Sequence, residues 1–172
     1  AGIVNFCSSV AVEWAPKVRV NAIIAGLVRT EQSELHYGDE AGIQATREMM
    51  ALAQSAGPDD FVLVLLSGGG SALTPAPVAG LTLPALQGLT QTLLKSGAPI
   101  KDINTVRKHL SQVQGGQLAS LIYPAPSLTL AISDVPGDDP TLIASGPTVA
   151  DPSTQADAQN ILERVAITPP AP

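Results

Sequence analysis

Apolar residues recur at mostly helical spacing near the start of the chain, where Ile3, Val4, Phe6, Cys7, Val10, Val12 and Trp14 predict a helix over 3–14 that Pro16 ends. A short strand is expected over 18–24, followed by a polar, turn-rich stretch over 28–38. A second helix is predicted over 39–56, with acidic residues in its first turn and a stop at Gly57-Pro58. The run FVLVLL at 61–66 is continuously apolar and bounded by turn residues, the pattern of a parallel strand covered on both faces.

That strand breaks at Ser67-Gly68-Gly69-Gly70-Ser71. Thr82 is placed to cap a helix reaching Lys95, with Pro84 accommodated in its first turn. Further helices are expected over 101–110 and 116–123, a last strand over 128–132, a turn-rich segment over 133–140 and a closing helix over 153–165. This alternation predicts an α/β fold: a small, three-layer, Rossmann-like parallel sheet of about three strands with helices on both faces. A chain of 172 residues has room for one core, so 1–172 is expected to be a single domain. The edges of so short a sheet invite a second copy, which makes a homodimer the expected assembly.

Composition narrows the function classes. Apolar residues make up 45% of the chain but aromatics only 3%, so the core must be built from Ala, Val, Leu and Ile. The net charge of −6 argues against a nucleic-acid polymer as partner, because affinity for a phosphate backbone comes mainly from Lys and Arg. Cys7 is the single cysteine and cannot form an internal disulfide; its apolar neighbours suit a buried thiol. No segment resembles a signal peptide or an 18-residue apolar span, so a cytoplasmic protein without a membrane partner is expected.

Two stretches of the sequence carry family resemblances. Residues 1–38, especially VEWAPKVRVNAIIAGLVRT, resemble the C-terminal part of a short-chain dehydrogenase/reductase. In that family this stretch follows the catalytic Tyr-x-x-x-Lys and lies far from the dinucleotide loop, so the resemblance implies no hydride-transfer machinery and no NAD. Residues 39–172 resemble the N-terminal domain of glycerate 2-kinase through LLSGGGSALTPAP, INTVRKHLSQVQGGQLA and LAISDVPGDDPTLIASGPTVADP. Together they imply a chimera with a crossover near Asp39-Glu40-Ala41-Gly42-Ile43. The kinase family's early glycine-rich segment with its lysine is replaced and its large C-terminal domain is lacking, so phosphorylation of glycerate by ATP is expected to be severely impaired.

The candidate chemistry gathers after the strands. Ser67, Gly68, Gly69, Gly70 and Ser71 follow a buried strand, where glycines let backbone N–H groups turn toward an anion and two hydroxyls add donors. No Lys follows, so this is not a Walker A loop, and a purely structural turn is the alternative. Asp134, Asp138 and Asp139 crowd the loop after the last strand, where ligand sites of open α/β sheets lie, and could hold Mg, Mn or Zn as a divalent ion. Turn formation around Pro136 and Gly137 is the other reading of those carboxylates. Asn104, Arg107, Lys108 and Ser111 share one side of a predicted helix, where a cationic face would bind phosphate or carboxylate; an ordinary solvated face is the alternative. His109 is a candidate acid or base, or a packing residue. His36, Asp39 and Glu40, beside Glu34, form a secondary metal or acid/base candidate. Ser145-Gly146-Pro147-Thr148 reads as a further turn whose hydroxyls could reach the same cleft.

Three functions follow as expectations. The first is metal-dependent hydrolysis of a phosphorylated small molecule, a mono- or diester that includes cyclic nucleotides, with Asp134, Asp138 and His109 as catalytic groups. The second is a glycerate 2-kinase fragment that binds ligand without turnover. The third is a folded chimera with no working site.

Overall fold

The computed structural model describes residues 40–67, 69–133 and 135–168, together with Ser9, Val12 and Glu13. The latter three have helical backbone inside the helix expected over 3–14, and Val12 is exposed. The strand expected over 18–24 lies outside the described residues, as do Gly68, Asp134, His36 and Asp39, and the side chain of Glu40.

Helix α1, Glu40–Gln54, presents Ile43, Met49 and Ala53 at spacings that put them on its buried side. Buried Thr46 satisfies its hydroxyl within the helix by donating to the Gly42 carbonyl at 2.7 Å. Strand β1, Val62–Leu66, then pairs in parallel with β2, Ser127–Ala131, in a register that sets Val62 against Ser127 and Leu66 against Ala131. Parallel pairing requires a crossover. It is supplied by the single turn α2 (Gly70–Leu73) and the helices α3 (Leu83–Lys95), α4 (Ile100–His109) and α5 (Gln117–Ile122). A 3-10 turn at Ile143–Ser145 and helix α6, Gln155–Arg164, complete the described chain.

Local sequence explains most of these boundaries. The Thr82 side chain accepts from the Ala85 N–H at 3.3 Å and Pro84 sits in the first turn of α3, where its missing N–H costs nothing. Thr154 and Asp157 form a reciprocal capping box at the start of α6: Thr154 accepts from the Asp157 N–H, and Asp157 accepts from the Thr154 N–H and hydroxyl. The segment before α3 is held by backbone, with Gln112 N–H donating to Ala76 O at 2.8 Å and Val78 N–H to Leu110 O at 3.1 Å.

Two apolar clusters stabilise this arrangement. One joins Met49 and Ala53 of α1 to Val64 of β1 and to Leu118 and Ile122 of α5, so α1 and α5 pack against the sheet. The other joins Leu89 and Leu93 of α3, Ile103 and Val106 of α4, and Ala158, Ile161 and Leu162 of α6 into a three-helix core. An ion pair between Arg164 and Asp102 ties α6 to α4 at the surface.

The α/β class holds, while the sheet among the described residues has two strands where about three are expected. Coverage of FVLVLL on both faces is a correction: only Val64 of β1 is buried, and its neighbours are half-buried. Along β2, Leu128 and Leu130 are 49% and 53% exposed, because no described strand or helix closes over that side. Among the described residues no helix is long and apolar enough to cross a membrane.

Candidate functional site

Parallel pairing decides where the two candidate loops lie. The chain leaves β1 at Leu66 and β2 at Ala131, which face each other in the register, and the Ile132 N–H continues the ladder to Leu66 O at 3.0 Å. The glycine loop and the aspartate loop therefore emerge side by side at the same end of the sheet, the carboxyl end where ligands bind in open α/β folds.

Ser71 is the meeting point. Its hydroxyl lies 2.8 Å from that of Ser145, which is itself 2% exposed. Its carbonyl receives two donors, Arg107 Nη2 at 3.4 Å and Gln114 Nε2 at 3.3 Å. Three side chains, two from the 107–114 stretch and one from the 3-10 turn, thus converge on one residue.

The backbone is shaped for this contact. Gly69 takes φ 81°, a left-handed conformation glycine adopts without penalty, and turns the chain into α2. A Cβ on Gly70 would lie 2.9 Å from the Ala144 Cβ, so the close approach of α2 to the 3-10 turn requires glycine there. On the facing side, Ala144, Ser145 and Gly146 all have positive φ, at 49°, 60° and 58°. Two consecutive non-glycine residues in that region are strained, and they are held by packing and hydrogen bonds, with the Gly115 N–H donating to Ser145 O at 3.0 Å and the Gly116 N–H to Gly146 O at 2.8 Å.

The basic side of α4 divides its work. Arg107 reaches the glycine loop at Ser71 O. Lys108 does not: its ammonium lies 3.6 Å from Asp151 Oδ1, with side-chain exposures of 7% and 11%. It is a buried, neutralised pair set directly behind Gly115, whose added Cβ would come within 3.2 Å of Asp151 Oδ2. Ser111 is buried just past the helix, and its hydroxyl accepts from the N–H groups of Val113 and Gln114 at 3.2 Å each, which fixes Gln114 in place. Asn104 is half-buried, and no described hydrogen bond joins it to Ser71. His109 turns to the start of α6, with Nε2 3.1 Å from Ser153 Oγ and 3.9 Å from Asp151 Oδ2, a packing and clasping position.

In the aspartate loop, Asp139 Oδ1 accepts from both the Thr141 hydroxyl at 2.7 Å and the Thr141 N–H at 2.9 Å. Those bonds, the hydroxyl first, hold its carboxyl below the usual aspartate range. Asp138 is exposed, with φ 53° next to Gly137 at φ 86°. The turn-forming reading of these two residues is therefore the one with support in the geometry. Among the described residues no group of three His, Cys, Asp or Glu side chains gathers as a metal site, and Asp134, the third carboxylate of the expected set, lies outside them. The His36, Asp39 and Glu40 cluster lies outside the described side chains.

Sequence reasoning missed Gln114 and Asp151. Both lie inside the segments INTVRKHLSQVQGGQLA and LAISDVPGDDPTLIASGPTVADP that resemble the kinase family, but nothing local singles them out, because each reaches the site through a tertiary contact. A separate groove of about 570 Å³ runs between α1 and the segment before α3, lined by Arg47, Met50, Gln54, Val78 and Gln112 among others. It includes none of the residues expected to carry chemistry.

Comparison with known proteins places this geometry in context. A protein of Agrobacterium vitis provisionally named hydroxypyruvate reductase is 49% identical over 150 residues, 87% of this chain and 34% of its own length. The D-glycerate 2-kinase of Thermotoga maritima is 50% identical over 75% of this chain and 31% of its own length. The crystal structure of glycerate kinase from Thermotoga maritima superposes with a TM-score of 0.73 at 50% identity, covering 76% of this chain and 31% of that one. A Pyrococcus horikoshii structure gives 0.75 at 45% identity, covering 86% and 32%. The chain thus spans about a third of the length of the relatives it matches. The family described as Domain of unknown function (DUF4147) matches residues 19–172, which overlaps the segment that resembles a dehydrogenase; that resemblance, and the crossover near residue 39, receive no support from these matches. With nine-tenths of its residues inside that match, the chain belongs to the DUF4147 family.

Proposed function

We propose that this chain provides the sugar-acid site of a glycerate 2-kinase-like protein, binding glycerate through its carboxylate at the junction of Ser71, Ser145 and Arg107. The observation that carries the reading is the convergence on Ser71 of the glycine loop, the 3-10 turn and α4 at the carboxyl end of the sheet. An arginine beside two hydroxyls supplies charge-assisted and neutral donors suited to a carboxylate. The likeness to glycerate 2-kinases supports the same substrate class.

In this arrangement Arg107 offers its guanidinium to the anion. The Ser71 and Ser145 hydroxyls share one proton between themselves and keep the other available for a ligand. Lys108, neutralised by Asp151, backs the site and does not compete for the anion. Metal-dependent phosphoester hydrolysis has less support, because Asp139 is engaged with Thr141 and His109 with Ser153. Isothermal titration with glycerate, alongside an ATP-coupled assay for phosphoglycerate and a phosphoester panel with and without EDTA, tests the reading. Saturable glycerate binding with no chelator-sensitive ester cleavage is expected; ester cleavage abolished by EDTA in a chain that ignores glycerate would overturn it.

A further inference from the structure

We infer that Gln114 is a specificity-determining residue of this site, its Oε1 accepting a hydrogen bond from a hydroxyl group of the bound acid. The inference rests on the sugar-acid reading above and refines it from anion recognition to hydroxy-acid recognition.

The orientation of the Gln114 amide is fixed by its partner. Nε2 lies 3.3 Å from Ser71 O, a carbonyl that can only accept, so the NH2 branch faces the glycine loop and Oε1 is the branch left over. The residue is 4% exposed, and Oε1 is a buried polar side-chain atom without a hydrogen-bond partner. Buried acceptors are almost always satisfied, because losing water without gaining a donor is unfavourable. The nearest hydroxyl on its own segment, Ser111, is already oriented by the N–H groups of Val113 and Gln114.

A ligand that satisfies this junction needs two features. Arg107 and the serine hydroxyls are donors from which an anion can accept, whereas Oε1 calls for a donor, which an ionised carboxylate lacks and an alcohol carries. A hydroxy acid has both. An acid without the hydroxyl leaves Oε1 as it stands, and a site built to bond a hydroxyl discriminates strongly against such an analogue.

The test is calorimetric titration of the full chain with glycerate and with propanoate, for the natural sequence and for Gln114→Met. The natural chain is expected to prefer glycerate by about tenfold or more, and the variant to bind glycerate no better than propanoate. Should the variant fold poorly, the side-chain amide resonance of Gln114 in the natural chain gives a second readout, shifting with glycerate and not with propanoate. A preference that survives in Gln114→Met, or equal binding of both acids by the natural chain, overturns the inference and leaves the anion site standing. Failure of the natural chain to bind either acid removes both.

Discussion

The hydroxyls of Ser71 and Ser145 lie 2.8 Å apart across 74 positions of sequence, joining the turn after β1 to the 3-10 turn after β2. This contact depends on how closely two backbones approach. Gly70 and Ala144 are the neighbours that set that approach.

Gly70→Ala is therefore expected to push the turns apart. Its added Cβ would meet the Ala144 Cβ at 2.9 Å, and overpacking of this kind costs about 1–3 kcal/mol. Urea unfolding measures the loss. Glycerate affinity should fall in parallel, because Ser71 and Ser145 separate.

The Lys108–Asp151 pair predicts a different response. Both side chains are largely buried, so Lys108→Met leaves a carboxylate without its counter-charge, a change that typically costs about 3–5 kcal/mol. The double variant Lys108→Met with Asp151→Leu should recover part of that stability in the same urea experiment. Equal stability of the single variant and the natural chain would show the pair to be loosely held.

Acid should weaken the start of α6. The Thr154 hydroxyl, then the Thr154 N–H, hold the Asp157 carboxyl below its ordinary value. A carboxyl lowered in the folded state stabilises the fold above the ordinary aspartate value of about 3.9, and the contribution is lost as pH falls through the lower folded value. The stability difference between the natural chain and Asp157→Asn should therefore be full at neutral pH and shrink toward zero on acidification. Thr154→Ala, which removes the cap, should cost about 1 kcal/mol at neutral pH.

What the sequence makes legible is what local physics decides. Thr82 with Pro84 announces a helix start and α3 begins there, and the closing helix expected from 153 begins at Gln155 behind the Thr154–Asp157 capping box. FVLVLL followed by glycines announces a strand and a turn, and the parallel register puts that turn beside the aspartate loop. The division of labour between Arg107 and Lys108 is not local: adjacent in sequence, they diverge to Ser71 and Asp151 because α4 lies between the glycine loop and the approach to α6. Gln114 enters the site through a bond that spans 43 positions, which no motif in one segment can encode, while the turn at Ser145 is expected near the cleft and only its partner, Ser71, comes from the fold. The last strand is expected over 128–132 from its apolar residues, yet Ile132 is 70% exposed, since burial depends on what other elements cover it.

Arg107 and Ser71 are proposed to bind the carboxylate of a small hydroxy acid. Calorimetric titration of glycerate into the natural chain and into Arg107→Met tests it most directly. Saturable single-site binding is expected, weakening by about tenfold or more in the variant, the scale of one charge-assisted hydrogen bond. Absence of binding to the natural chain, or equal affinity in a folded Arg107→Met variant, would contradict it.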